Sequence, residues 1–282
     1  MISFQILSSG SNGNMAVVRT EQADILIDCG RNSSFMKKNF EELNIDPSGI
    51  DGALITHAHT DHINASSLRF LDDFGIPIYS GSDIFGDILE RFGEDSIQFE
   101  NIKVLDQRFV KKIKDISVDF FYAYHSDEKV SATLGFCLEC FDNGRKYKIG
   151  YLTDTGKVCK RIIAKLADCN ILAIEANYDE GMLSGSFRPQ KNKDWILSGC
   201  GHLSNTDSAK AIADIKKSSS ASDSLKYVFL SHISEEHNTP ELSLRTVRDE
   251  LKRAGAGNIN LFAASRDMRS KKIIIGCRNT RQ

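Results

Sequence analysis

Thr56-His57-Ala58-His59-Thr60-Asp61-His62 follows directly on the short apolar run Ala53-Leu54-Ile55. An H-x-H-x-D-H cluster in that position places four metal-type side chains where a buried strand ends. In extended backbone, residues two apart point to the same side, so His57 and His59 can pinch one ion. Asp61 and His62 fall where the chain turns toward the next helix and can reach a second ion. Imidazole and carboxylate suit divalent metals such as Zn²⁺, Mn²⁺ or Fe²⁺, and paired metals are a known solution for hydrolysing phosphate esters. Seven His in 282 residues is ordinary usage; four such ligands within six residues are not, and structural zinc motifs need a different Cys/His pattern.

Bulk composition narrows the class without naming the chemistry. With 41% hydrophobic and 26% charged residues, the chain reads as globular with ample core. A net charge of −2 exerts no global pull on nucleic acid, so a polyanion must be held by a local patch or by metals. Neither a leader nor an apolar stretch of membrane length is evident, and the expectation is a cytoplasmic protein with no membrane partner. The seven cysteines, Cys29, Cys137, Cys140, Cys159, Cys169, Cys200 and Cys277, then read as reduced thiols. Cys137 and Cys140 lie three apart in an apparent strand and face opposite sides, which suits packing rather than a redox pair.

The pattern predicts strands at Ile2–Leu7 and Met15–Arg19, flanking the turn-rich Ser8-Ser9-Gly10-Ser11-Asn12-Gly13-Asn14, and at Asp24–Asp28 and Gly52–Thr56. Ser33 is positioned to cap a helix to about Leu43, and further helices are predicted near Ala65–Phe74 and Asp83–Phe92, around a strand at Ile76–Ser80. Strands Ile116–Ala123, Ala132–Phe141 and Tyr147–Thr153 follow. Helices at Lys157–Leu166, Asp207–Lys216 and Leu242–Arg253 then alternate with strands at Ile171–Glu175, Tyr227–Leu230, Ile259–Ala263 and Lys272–Ile275. Ser218 to Ser224 reads as a polar connector. Strands first and helices after, twice over, suit two sheets covered by helices on both outer faces.

Four more polar residues end apolar strands: His125, Asp154, Glu175 and His232. Each alone is an ordinary turn former; together they are candidates for one site at one edge. With Leu26-Ile27-Asp28, the His57/His59/Asp61/His62 cluster, His125, Asp154 and His232 in order, the chain resembles the metallo-β-lactamase-fold hydrolases over nearly its whole length. The resemblance implies an α/β, four-layer αββα sandwich of two mixed sheets, formed by one domain over residues 1–282. It implies two divalent cations (Zn²⁺ or Mn²⁺, or Fe²⁺). His57, His59 and His125 would hold one, Asp61, His62 and His232 the other, with Asp154 bridging. Asp28 would support the His loop from behind, or simply turn the chain.

Tyr124-His125-Ser126-Asp127, Glu175-Ala176-Asn177 and Gly201-His202-Leu203-Ser204-Asn205 resemble the phosphodiesterase and nuclease branch that includes ribonuclease Z, in which the matching His is catalytic. Ser8–Asn14, Gly201–Asn205, Ser231-His232-Ile233 and Asn238-Thr239-Pro240 resemble the WalJ/YycJ-type group, associated with 5′→3′ exonuclease activity on DNA. His237 departs from that group's pattern, where Asn is expected. Too little chain follows Asp154 for the large insertion of the RNA-cleaving β-CASP nucleases. The implied catalytic set is Asp61, Glu175 and His202. A hydroxide shared by cations about 3.5–4 Å apart would attack phosphorus, while His202, held by Glu175, protonates the leaving oxygen. Arg188, Lys191 and Lys193 lie in an irregular stretch ahead of His202 and can meet phosphates or form a solvated face. Ser204 and Asn205 complete the expected substrate-binding set, or cap the following helix. The Ser8–Asn14 loop can form an anion nest or a plain turn; Trp195 can stack on a base or pack. The partner expected is DNA or another phosphodiester. A phosphodiesterase for a small cyclic phosphate or nucleotide is the alternative enzyme, and a metal-binding regulatory scaffold the non-enzymatic one.

Overall fold

A computed structural model describes residues 1–127, 130–221 and 223–276 of the chain; Cys277 lies outside them. The first sheet takes β1 (Ile2–Ser8), β2 (Met15–Arg19), β3 (Asp24–Ile27), β4 (Gly52–Leu54), β5 (Ile78–Ser80) and β6 (Ile102–Val104), closed on the β1 side by β14 (Ile273–Ile275). The second takes β7 (Lys111–Ile113), β8 (Ile116–Tyr122), β9 (Leu134–Asp142), β10 (Arg145–Leu152), β11 (Ile171–Glu175), β12 (Tyr227–Ser231) and β13 (Asn260–Ala263) in sequence order. The helices are α1 (Ser33–Leu43), α2 (Ala65–Asp73), α3 (Ser82–Phe92), α4 (Lys160–Leu166), α5 (Glu180–Gly185), α6 (Gln190–Ile196), α7 (Asn205–Ser218) and α8 (Pro240–Arg253).

The period of two sorts each strand's side chains. On β9, Phe136, Leu138 and Cys140 join the core between the sheets, while Cys137 faces the outer layer. Both thiols are buried, as the spacing predicts. The sheets meet directly: Phe4 of β1 and Phe229 of β12 stand edge to face with ring centroids 5.4 Å apart. Each is wholly buried, which contributes about 1.5–3 kcal/mol per ring. Outside the first sheet, α1, α2 and α3 supply Met36, Phe40, Leu68, Leu71, Ile84 and Ile88 to its core. Outside the second, α4, α7 and α8 supply Ile162, Leu166, Ile212, Ile215, Val247 and Leu251. The result is the expected αββα layering.

Several local expectations are corrected. Asn32, not Ser33, caps α1, its side chain accepting from Phe35 N–H. The stretch around Arg188, Lys191 and Lys193 is not irregular: it holds α5 and α6, with Lys191 and Lys193 on α6. The three-residue strands β6 and β7 carry no alternation long enough to predict.

Candidate metal centre

Strand direction explains why the site exists. Strands β3 to β6 run parallel, as do β10 to β13. Two successive antiparallel pairings make β8 co-directional with β10, and β1 co-directional with β3. The loops after β1, β3, β4, β8, β10, β11 and β12 therefore gather at one edge. They carry Ser8–Asn14, Asp28, the His57–His62 cluster, His125, Asp154, Glu175 and His232.

Four overlapping groups of potential ligand atoms lie there, each group within 4.8 Å of one another: His57/His59/His125, Asp61/His62/His232, His57/His62/Asp154, and Asp154/Glu175/His202/His232. His57 Nε2 faces His59 Nδ1 at 2.9 Å, and His125 Nε2 stands 3.4 Å from the same nitrogen. His62 Nε2 is 3.1 Å from Asp154 Oδ2; His232 Nε2 is 3.3 Å from Asp61 Oδ2.

Every one of these five imidazoles has its outer nitrogen against an oxygen. His57 Nδ1 meets Thr56 Oγ1 at 3.0 Å, His59 Nε2 meets Asp127 Oδ2 at 3.1 Å, and His62 Nδ1 meets Asp28 Oδ2 at 2.8 Å. His125 Nδ1 meets the Gly201 carbonyl at 2.9 Å, and His232 Nδ1 meets Glu175 Oε1 at 2.9 Å. An N–H fixed outward leaves a lone pair inward, the arrangement that outer partners impose on metal-binding histidines. Asp154 is buried, and its Oδ2 has His62 Nε2 beside it at 3.1 Å while its Oδ1 lies 3.3 Å from His232 Nδ1. Ring nitrogens facing one another around a buried carboxylate fit divalent cations bound at this edge.

Charge interactions follow the same geometry. Burial pushes His62 down, but Asp28, Asp154 and Asp61 around it more than reverse this and hold it well above the ordinary imidazole value. His232 behaves likewise, raised by Asp154, Asp61 and Glu175 against its burial. His57 goes the other way: burial first, then the neighbouring His62 charge, holds it well below, and burial also lowers His125. Asp154 is held well below the carboxylate range, His232 and His62 outweighing its burial. A cation entering the Asp61/His62/His232 side therefore displaces protons.

Asp28 is fully buried behind the His loop. Its Oδ1 accepts from Thr56 N–H and Oγ1–H, both at 2.9 Å, while Oδ2 accepts from His62 and from Tyr151 Oη at 3.4 Å. Asn14 reaches in from the β1–β2 loop, its amide 3.0 Å from His62 Nε2 and 3.4 Å from Asp61 Oδ2. Glu175 is wholly buried and takes four contacts. Oε1 accepts from His202 Nδ1 at 2.7 Å and from His232; Oε2 accepts from Thr155 and Leu203 N–H at 3.0 and 3.1 Å. Its burial raises its pKa, but His202 and His232 prevail and keep it ionised. With Nδ1 tied to Glu175, His202 has Nε2 as its remaining ring nitrogen.

The other expected substrate residues are arranged differently. Ser204 is buried and caps α7 by accepting from Asp207 N–H; Asn205 is buried and donates to Asn238 at 3.1 Å. Lys191 is exposed on α6. Lys193 Nζ donates to the Ser184 and Ser186 carbonyls at 2.9 and 2.6 Å, and Arg188 pairs with Glu236. Trp195 stands edge-on to His125 and His202, centroids 5.4 and 5.3 Å away, over Tyr178, Leu183 and Ile196. Sequence reasoning does not single out Asp127, Thr56 or Asn14. Asp127 has a usable signal, a carboxylate two residues after His125.

A beta-lactamase superfamily domain matches residues 23–248. The chain is 30% identical over 260 residues to the exodeoxyribonuclease YycJ of Bacillus anthracis and 27% identical over 254 residues to the exodeoxyribonuclease WalJ of Streptococcus pneumoniae serotype 2, covering 90% of each chain in both pairs. Its fold matches the crystal structure of the metallo-β-lactamase-fold protein YhfI from Bacillus subtilis with a TM-score of 0.66 at 12% identity, over 96% of this chain and 100% of that one. No helix among the described residues is long and apolar enough to cross a membrane. By sequence and by architecture alike, the chain belongs to the beta-lactamase superfamily, as a hydrolase of metallo-β-lactamase fold.

Proposed function

We propose that the chain is a dinuclear metal-dependent phosphodiesterase that degrades DNA as a 5′→3′ exonuclease, working in the cytoplasm as a single domain over residues 1–282. The observation that carries this reading is the pair of inward-facing donor sets joined by Asp154, with the Glu175–His202 couple beside them. The names of the relatives above support the DNA substrate. His57, His59 and His125 would hold one cation and Asp61, His62 and His232 the other, with Asp154 within reach of both sets; Zn²⁺, Mn²⁺ and Fe²⁺ all suit this shell. Bound there, the cations supply Lewis acidity toward the phosphoryl oxygens and lower the pKa of water.

The chain's own residues do the rest. Asp28 and Thr56 hold the His loop. Asp61 sits at the open side, where an attacking water would lose its proton. Glu175 fixes His202 so that Nε2 can donate to the leaving oxygen. Arg188, Lys191 and Lys193 meet the strand, and the buried Ser204 and Asn205 act by holding the turn that carries His202.

His202→Ala should retain both metals by elemental analysis yet lose roughly 10²–10⁴-fold in turnover of end-labelled DNA. Wild-type turnover in that variant would take His202 out of the reaction. Mononucleotides released from the 5′ end of a defined strand test the polarity. Activity confined to a cyclic mononucleotide would replace DNA by a small ester.

A further inference from the structure

Three arginines around the metal edge are each held by an exposed carboxylate. Arg188 Nε donates to Glu236 Oε2 at 2.7 Å, Arg266 pairs with Glu235, and Arg31 Nη1 lies 3.5 Å from Asp267 Oδ1. Glu235 and Glu236 are both 59% exposed, whereas Arg188 and Arg266 are 39% and 23% exposed. The cation is the more anchored partner in each pair and the acid the more solvated one.

These two glutamates are consecutive, in the loop just after His232, and they engage arginines from different segments. Arg188 comes from between α5 and α6. Arg266 follows β13, its side chain lies against Gly10, and its carbonyl accepts from Ser8 Oγ at 2.7 Å. The next residue, His237, is 1% exposed. Its Nδ1 faces Ser234 Oγ at 3.4 Å, while Nε2 has no hydrogen-bond partner and lies 3.7 Å from Glu236 Oε2, beyond hydrogen-bond reach. A buried ring nitrogen thus points at a carboxylate it does not bond.

We propose that Glu235 and Glu236 are internal stand-ins for substrate phosphates: a nucleic-acid strand displaces both, and Arg266 and Arg188 then each hold a backbone phosphate, with His237 Nε2 donating on the Arg188 side. The inference rests on the nuclease reading and extends it to strand selection. Exposed ion pairs contribute little to stability, so little opposes their opening, and arginine binds phosphate through two parallel hydrogen bonds. The device reconciles a polyanion substrate with a net charge of −2. It also favours a strand over a mononucleotide, because one phosphate can displace only one glutamate.

The test uses the metal-loaded protein and a single-stranded phosphorothioate oligonucleotide, followed by fluorescence anisotropy across a salt series. The Glu235→Gln/Glu236→Gln protein should bind roughly three- to tenfold more tightly, the gain expected from freeing two exposed pairs. The Arg188→Ala/Arg266→Ala protein should bind more weakly, with the slope of log affinity against log salt flattened by about 1.4, since each lost single-strand phosphate contact removes about 0.7. Glu241→Gln/Asp249→Asn removes the same two charges on the exposed side of α8 and should tighten binding far less. Equal tightening by the α8 pair, or none by the Glu235/Glu236 pair, overturns the stand-ins. Wild-type turnover of DNA and of bis(p-nitrophenyl) phosphate is measured in parallel. If both are absent the nuclease reading fails, while the binding series still decides on the glutamates; if DNA is cleaved and the glutamine pair is indifferent, only the stand-ins fall.

Discussion

Asp28, Asp154 and His232 all adopt the left-handed backbone conformation, with φ of 56°, 53° and 52°. Each follows a buried strand, and for a non-glycine residue the conformation costs about 1–2 kcal/mol. Such strain persists only where the surroundings over-determine it, and behind Asp28 and His232 the hydrogen bonds to the side chain do so. Asp28 is the clearest case, because all its close partners are donors: Thr56 N–H, Thr56 Oγ1–H and His62 Nδ1–H. An amide in place of this carboxylate would confront one of them with its own N–H. Turned toward His62, it would force the imidazole proton onto Nε2, the nitrogen facing Asp154. Asp28→Asn should therefore lower metal affinity by roughly 10–100-fold, the usual cost of losing an outer partner, with the fold retained by circular dichroism. Competition against a coloured chelator measures this, and wild-type affinity would reduce Asp28 to a turn former. At this scale the strand-end polar residues are legible because each interrupts an apolar run. The contacts of Thr56, Asp127 and Asn14 are not, since their value depends on which ring nitrogen each imidazole turns outward, and only the folded backbone decides that.

The His loop holds its shape as an element because three segments are stitched at one point. Cys29 N–H donates to the His62 carbonyl and Asn14 N–H to the Asp61 carbonyl, both at 2.7 Å, and Gly30 N–H donates to the Asn14 carbonyl at 2.9 Å. Gly30 permits the stitch: a Cβ there would overlap the Asp61 carbonyl oxygen. Because that oxygen is backbone, it cannot swing aside. Gly30→Ala should destabilise the fold by about 1–3 kcal/mol or more, as overpacking does, and push Asp61 and His62 off their site. Gly86→Ala is the contrast, on the exposed face of α3 with nothing within 4 Å of the added carbon; helix propensity predicts a gain of up to about 1 kcal/mol. Denaturant melts and metal counts on both proteins check the pair, and two metals with wild-type stability in Gly30→Ala would refute the stitch. Element boundaries show what pattern can and cannot carry. Strand β11 is read correctly at both ends because the apolar run Ile171–Ile174 is bounded by the polar Asn170 and Glu175. Helices α5 and α6 escape because six or seven residues make barely two turns, amid Gly, Ser and Pro, although Asp179 accepting from Met182 N–H is a cap visible in the sequence.

On the scale of the whole molecule, the donor sets are shared between the sheets. His57, His59, Asp61 and His62 come from the loop after β4 in the first sheet; His125, Asp154 and His232 come from loops of the second. Each proposed cation is thus bound by both halves of the sandwich, and ligand binding to the native state alone stabilises everything that unfolds with it. At free metal one hundred times the dissociation constant, one site adds about 2.7 kcal/mol. Two such sites, at about 2–4 °C per kcal/mol for a chain near this size, raise the thermal midpoint by on the order of 10–20 °C. Chelator-treated protein should therefore melt that much lower, in one transition, and recover with Zn²⁺ or Mn²⁺. Hydrogen exchange would locate the effect: protection lost on metal removal should appear in β3, β4, β10 and β12 together. Loss confined to the loop after β4 would mean that the second sheet contributes no ligands, and a midpoint indifferent to chelation would mean that the edge holds no structural share of the metal at all.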